Sequence, residues 1–337
     1  MDDIGLPTLA DLGLVPFLPR APWWGGDLQT IRNYVLRDRS THARKSERLV
    51  LPLSDGSGDQ LAAALDLPEK KLPCAPLVIL IHGLTGSERS AYMARSAMRL
   101  AGLGYPALRL NLRGAGPSRP LSRYQYHAGR TEDLDRVLAA LPSNLVANGV
   151  VAIGFSLGGN MLLKFLGERG RAQPLRAAVS ISAPIDLAGT ARRMQRWRNF
   201  AYLSHLMREL RREALAASSE LTSRERGAIR AATSLYEFDQ NFTAPRNGFA
   251  GAEDYYARNG ALRFLDGIKV PTLVIHALDD PWVPADPYAA YDWTRNRSLA
   301  PVLPAQGGHI GFHGADWPAC WHDVTIERFF AAIFSPP

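Results

Sequence analysis

From residue 77 to the C-terminus, short apolar runs alternate with segments of helical periodicity, and this rhythm restricts the fold more than any other feature. Residues 77–81, 106–110, 150–155, 177–182, 272–276 and 300–303 read as buried strands bounded by Gly and Pro. Residues 90–103, 131–141, 157–168 and 321–334 carry helical spacing. Strands separated by helices pair in parallel through right-handed crossovers, which puts helices on both faces of the sheet. Two earlier runs, 49–53 and 61–65, flank the turn Asp55-Gly56-Ser57-Gly58 and predict an antiparallel hairpin at one edge. The fold class is α/β.

One interval breaks the rhythm. Residues 184–270 contain no convincing strand, whereas Met194, Trp197, Phe200/Ala201, Leu203, Leu206/Met207 and Leu210 recur at helical spacing. This predicts a helical lid inserted into a core domain made of residues 47–183 and 271–337. Residues 1–46, rich in Pro, Gly and Arg and containing the pair Trp23-Trp24, are expected to form an arm packed on the body.

The net charge of +7 invites a nucleic-acid reading, but only five of the basic residues are lysines (45, 70, 71, 164, 269). No dense basic run interleaved with aromatics is present to track a phosphate backbone, so no nucleic-acid partner is expected. Much of the charge gathers on the lid, with seven arginines between residues 192 and 212 against the single acid Glu209. A solvated helix face accounts for such a cluster. An apolar stripe with a cationic face would equally suit transient contact with acyl chains or an anionic lipid interface. The two cysteines, Cys74 and Cys320, form neither a disulfide framework nor a C-x-x-C site. The acidic start Met1-Asp2-Asp3 does not resemble a signal peptide, and no apolar run reaches the ~20 residues that span a bilayer. A soluble, cytoplasmic protein is the expectation.

Gly154-Phe155-Ser156-Leu157-Gly158 fits G-x-S-x-G and sits between a strand and a helix. That setting is a nucleophile elbow: glycines allow close backbone approach, and the helix N-terminus faces developing negative charge. An acid and then a base must follow in the chain. The strand 272–276 runs into Asp279-Asp280, and Gly307-Gly308-His309 lies beyond the next strand. The oxyanion donors expected are the N–H of Leu157, just after the nucleophile, and that of Leu84 in His82-Gly83-Leu84-Thr85-Gly86.

Of the other histidines, His42 falls in the arm, His205 in the lid and His322 on the terminal helix, where packing or surface roles suffice. His276 reads as a buried neutral imidazole satisfied by backbone. His82 and His127 are positioned to line the site. His309 and His313 stand four apart like a metal pair, but Gly307, Gly308 and Gly311 argue against a helix presenting both, so no metal is expected.

Taken together, Asp27-Leu28-Gln29-Thr30, the 82–87 string, Asn111-Leu112-Arg113-Gly114-Ala115-Gly116, the 126–133 string, and the segments 154–160, 276–281 and 307–312 resemble the YheT-like α/β-hydrolases. These are relatives of abhydrolase-domain esterases and lipases. The resemblance covers most of the chain and implies the α/β-hydrolase fold. It also implies Ser156 as nucleophile, His309 as general base and then acid, and an aspartate of the pair 279–280 as the residue orienting His309, with no cofactor. Hydrolases whose strand ends His-Gly-x-x-Asp-x-x-Val take the acid three residues after Gly; Ala277 occupies that position and Val283 closes the pattern, which selects Asp280. The sequence departs from the family at Asp27, where relatives carry His, and at Asn111, often Asp or His. Both departures bear on substrate rather than reaction type.

The expected function is hydrolysis of short- to medium-chain acyl esters, the small-molecule partner, through an acyl-enzyme. Acyl transfer to an alcohol would use the same triad, and a non-catalytic binding protein on this scaffold is the rival from another class. Trp197 and Phe200 are expected to roof the acyl pocket. The sequence does not specify an oligomeric state.

Overall fold

In a computed structural model, the structure describes residue 13 and residues 16–35, 46–216, 220–315 and 319–334. The remainder of the arm, His42 included, lies outside the described residues. Eight strands, β1 (Glu47–Pro52), β2 (Gln60–Asp66), β3 (Leu77–Ile81), β4 (Ala107–Leu110), β5 (Val150–Phe155), β6 (Leu175–Ile181), β7 (Thr272–Ile275) and β8 (Leu299–Val302), form one sheet. Their spatial order is β1-β2-β4-β3-β5-β6-β7-β8. β1 and β2 pair antiparallel as the expected edge hairpin, β2 also runs antiparallel to β4, and every other pairing is parallel.

The central strands are uninterruptedly apolar because both of their faces are covered. Successive side chains divide between two cores, as the strand period of two demands. Leu77, Ile79 and Ile81 join Leu134, Val137, Leu162 and Phe165 on one face. Val78 and Leu80 join Met93, Ala97, Leu100, Phe329 and Phe330 on the other. The helices Glu132–Ala140 and Leu157–Arg169 therefore cover the first face, and Ala91–Gly102 and Trp321–Phe334 the second. Since β3, β5, β7 and β8 are parallel, the loops that follow them gather at one edge of the sheet, where open α/β sheets bind ligands.

Between β6 and β7 the chain is helical, through Leu187–Met194, Phe200–Ala214, Ser223–Ala231, Leu235–Phe238 and Ala252–Asn259. The segment expected to be a lid does not extend to residue 270. Ala261, Leu265, Ile268 and Val270 belong to the core beneath the sheet. The turn Ala261–Gly267 packs on the helix Leu157–Arg169 so closely that a Cβ on Gly167 would lie 2.2 Å from the carbonyl oxygen of Phe264. This double burial makes the helix Leu157–Arg169 apolar on nearly all sides. Among the described residues no helix is long and apolar enough to cross a membrane.

Candidate active site

β5 ends at Phe155 and the next helix begins at Leu157, leaving Ser156 alone to turn the chain, with φ 50° and ψ −121°. A side chain in that region is strained, and the surrounding packing must hold it there. Glycine makes this possible: a Cβ on Gly154 would sit 2.5 Å from the carbonyl oxygen of Gly158, and one on Gly158 would sit 2.5 Å from that of Ile81. The nucleophile candidate is thus lifted clear of the sheet at a helix N-terminus.

Three segments distant in sequence converge on it. His309 Nε2 lies 3.0 Å from Ser156 Oγ, and His309 Nδ1 lies 2.8 Å from Asp280 Oδ2. The other Asp280 oxygen accepts the N–H groups of Trp282 (2.8 Å) and Val283 (3.0 Å). Burial raises the pKa of this fully enclosed carboxyl, but the charge and hydrogen bond of His309 outweigh it and hold Asp280 below the usual carboxylate range. Asp279 turns away and accepts the N–H of Gly308 at 2.9 Å, so of the adjacent pair it is Asp280 that meets the imidazole. The indole of Trp282 stands 4.5 Å from the His309 ring, centroid to centroid.

The loop after β3 supplies backbone donors. Gly83 N–H donates to Tyr92 Oη (3.0 Å), Thr85 N–H to Tyr126 Oη (2.8 Å) and Gly86 N–H to the Gly83 carbonyl (3.0 Å). The N–H of Leu84 has no acceptor among the described residues, nor does that of Leu157 at the first position of its helix. Both are the residues expected as oxyanion donors. A Cβ on Gly83 would come within 3.0 Å of the Ser156 Cβ, so this loop passes directly over Ser156.

The remaining histidines separate from the site chemically. His82 is buried between the Gly83 carbonyl (Nδ1, 2.7 Å) and the N–H of Leu112 (Nε2, 3.1 Å), and desolvation lowers its pKa to about 4. His127 lines the cavity, and burial, with Arg130 and Lys164 nearby, lowers it to about 3. His276 is buried and held neutral by desolvation, but it is not satisfied by backbone as expected. Its ring stacks 4.0 Å from that of Tyr288, and neither nitrogen has a hydrogen-bond partner among the described residues. His313 does not pair with His309, because its Nδ1 faces Arg32 at 2.9 Å. Among the described residues, Cys320, His322 and Asp323 form the one cluster whose ligand atoms lie within 4.8 Å of one another. None of them lines the cavity at Ser156.

A cavity of about 1030 Å³ opens from Ser156 and His309, bounded by the 82–86 loop, Tyr126 and the helices between β6 and β7. Trp197 and Phe200, expected to roof it, do not: both point into solvent, 90% and 72% exposed. The apolar residues from Met194 to Leu210 keep helical spacing in the sequence, whereas Leu187–Met194 and Phe200–Ala214 are separate helices joined by the tight turn Trp197–Asn199. That break resets the helical phase. Met194, Tyr202, Leu206 and Leu210 face the cavity instead, and Met207 turns into a second small core with Ile229 and Phe242.

Sequence reasoning missed the role of the arm. The helix Gly25–Val35 braces the 307–313 loop: His313 N–H donates to Gln29 Oε1 (2.7 Å), Gln29 Nε2 to the His313 carbonyl (3.2 Å) and Asn33 Nδ2 to the Ile310 carbonyl (3.0 Å). The loop needs such support, since Gly307, Gly308, Ile310 and Phe312 all have positive φ. The string Asp27-Leu28-Gln29-Thr30 was the available signal. Asp27 itself ties the arm to the helix Phe200–Ala214, accepting from Arg198 (2.8 Å) and the Tyr202 hydroxyl (3.1 Å). Asn111 is structural, bonded to Ala62 and Glu88.

The pattern of the alpha/beta hydrolase fold matches residues 76–316. YheT of Escherichia coli (strain K12) is 30% identical over 92% of this chain and 91% of its own length. Phospholipase ABHD3 of Mus musculus is 29% identical over 77% of this chain, which spans 64% of that relative. The Pyrococcus furiosus esterase Pf2001 superposes with a TM-score of 0.58 at 16% identity, covering 94% of this chain and 96% of that one, a likeness of fold alone. With a mostly parallel sheet, a serine on the strand-to-helix turn and 30% identity to YheT along nearly its whole length, the chain belongs to the α/β-hydrolases, in their YheT-like branch.

Proposed function

We propose that the protein is a serine carboxylic-ester hydrolase that works through an acyl-enzyme on Ser156. The observation that carries this reading is the unbroken chain from Ser156 Oγ through His309 to buried Asp280, at 3.0 and 2.8 Å. His309 Nε2 takes the serine proton as Oγ attacks the ester carbonyl. Asp280 holds the tautomer that leaves Nε2 free and stabilises the imidazolium that forms. The N–H groups of Leu84 and Leu157 receive the developing oxyanion, each contributing about 3 kcal/mol to the transition state. The alcohol departs with the proton from His309. Water, deprotonated by the same nitrogen, then releases the acid.

The role of the helical segment as a lid, and the preference for short to medium acyl chains, are part of this proposal. Both are supported by Leu206, Leu210 and Met194, which line a cavity of about 1030 Å³ directly above the serine. The similarity to esterases and a phospholipase agrees with ester chemistry. The test is covalent labelling by a fluorophosphonate together with turnover of p-nitrophenyl esters. Wild type should label and show a burst, and Ser156→Ala should lose both, with kcat down ~10⁴-fold or more. Activity of the mutant within tenfold of wild type would overturn the reading.

A further inference from the structure

The turn that carries Trp197 and Phe200 is fixed, although both rings are left in water. The two residues stand three apart across the junction of the turn and the helix Phe200–Ala214, so they share one face. Beneath them Asn199 is fully buried and donates to the carbonyls of Arg193 (3.0 Å) and Pro281 (2.9 Å). Arg198 pairs with Asp27 at 2.8 Å, which brings in the start of the arm helix, where Leu28 is 42% exposed. One turn further along, Tyr202 and His205 line the cavity. The protein thus holds a rigid apolar projection beside its own cavity, and a rigid projection loses little conformational entropy when it is covered.

We propose that this turn docks the protein on an anionic lipid surface, with Trp197 and Phe200 entering the boundary between headgroups and acyl chains. The proposal rests on the ester-hydrolase reading and names the place where its substrate is met. Charge identifies the occupant. Arg196, next to Trp197 in the chain, and Arg208, about two turns along the helix from Phe200, are exposed and have no carboxylate partner among the described residues, so the segment that carries the aromatic pair also carries unpaired positive charge. Aromatic rings flanked by arginine are what the interface of an anionic bilayer accommodates, the rings at headgroup depth and the guanidinium groups on phosphates. Docked by this turn, the neighbouring cavity lies against the surface from which an acyl ester would enter.

The experiment is co-sedimentation of the full chain with phosphatidylcholine vesicles, with and without phosphatidylglycerol. Binding should require the anionic lipid and weaken with added salt. Trp197→Ala/Phe200→Ala and, separately, Arg196→Glu/Arg208→Glu should each weaken it by about tenfold or more, while turnover of a soluble p-nitrophenyl ester stays at the wild-type level. These side chains are exposed, so both variants should fold, and fluorophosphonate labelling of Ser156 reports the underlying reading independently. The docking proposal is overturned if wild type ignores anionic vesicles, or if both variants bind as wild type does. It is overturned equally if sedimentation velocity shows a dimer of this chain that the aromatic substitutions dissolve.

Discussion

The hydroxyl of Thr30, on the arm helix, accepts the backbone N–H of His309 at 2.8 Å while donating to the carbonyl of Gly26 at 2.6 Å. A residue more than two hundred positions away in sequence therefore fixes the main chain of the proposed base. Thr30→Val keeps the shape but leaves a buried donor without an acceptor, at a cost of about 1–3 kcal/mol. We expect kcat to fall by about tenfold or more with KM little changed, because imidazole placement is sensitive to small displacements. Unchanged kinetics in this variant would show that Gln29 and Asn33 hold the loop without it.

The two neighbouring aspartates should separate cleanly. Asp280→Asn removes the carboxylate at His309 Nδ1 and should cut kcat by ~10⁴-fold. Asp279→Asn still offers an oxygen to the Gly308 N–H and should cost far less. Steady-state kinetics at matched thermal stability decide it, and the reverse order of damage would reassign the acid.

Glu213 predicts a pH dependence of stability. It reaches the loop after β3 through Tyr126, whose hydroxyl lies 3.2 Å from Glu213 Oε2 and 2.8 Å from the Thr85 nitrogen. Burial raises its pKa to about 7, partly offset by Arg119 and Tyr126. The folded state keeps a proton that the unfolded chain releases near the ordinary glutamate value, so its contribution is complete below that value and is lost as pH rises through about 7. Glu213→Gln cannot ionise. Its Tm relative to wild type should rise between about pH 4.5 and about pH 7 and level off above that, and a constant difference would place Glu213 in contact with water.

Filling the cavity should change acyl selection. Leu206→Trp adds bulk to a side chain that faces the cavity and should lower kcat/KM for octanoyl relative to acetyl esters by about tenfold, in line with 1–3 kcal/mol for misfit in an apolar pocket. An unaltered chain-length profile would mean that the acyl group lies elsewhere.

The sheet and the elbow were legible in the sequence because they depend on local rules. A buried parallel strand is an apolar run, and the Gly154-x-Ser156-x-Gly158 string carries its own backbone geometry. The segment between β6 and β7 was legible only as helix. Its inward face could not be read across residues 195–199, where a change of helix resets the phase and leaves Trp197 outside. The bracing by Gln29, Thr30 and Asn33 left only the string Asp27-Leu28-Gln29-Thr30 as a signal and no hint of its partners, since side-chain bonds to a distant backbone leave no periodic mark. The burial of 261–270 was hidden for a related reason: a single turn against a helix has no repeat to detect.

The helix Gly25–Val35 precedes the region, 76–316, that matches the family pattern, yet it grips the loop of the proposed base on one side and, through Asp27, Arg198 and Tyr202 on the other. In engineering terms it is a brace supplied in cis. A version trimmed to begin at the edge hairpin would keep all eight strands and the serine turn, and would still look like a hydrolase by circular dichroism. It would nevertheless lack the clamp that holds the loop of the proposed base and the helices between β6 and β7 in a common frame, so the same helix added back as a separate peptide is expected to raise its activity.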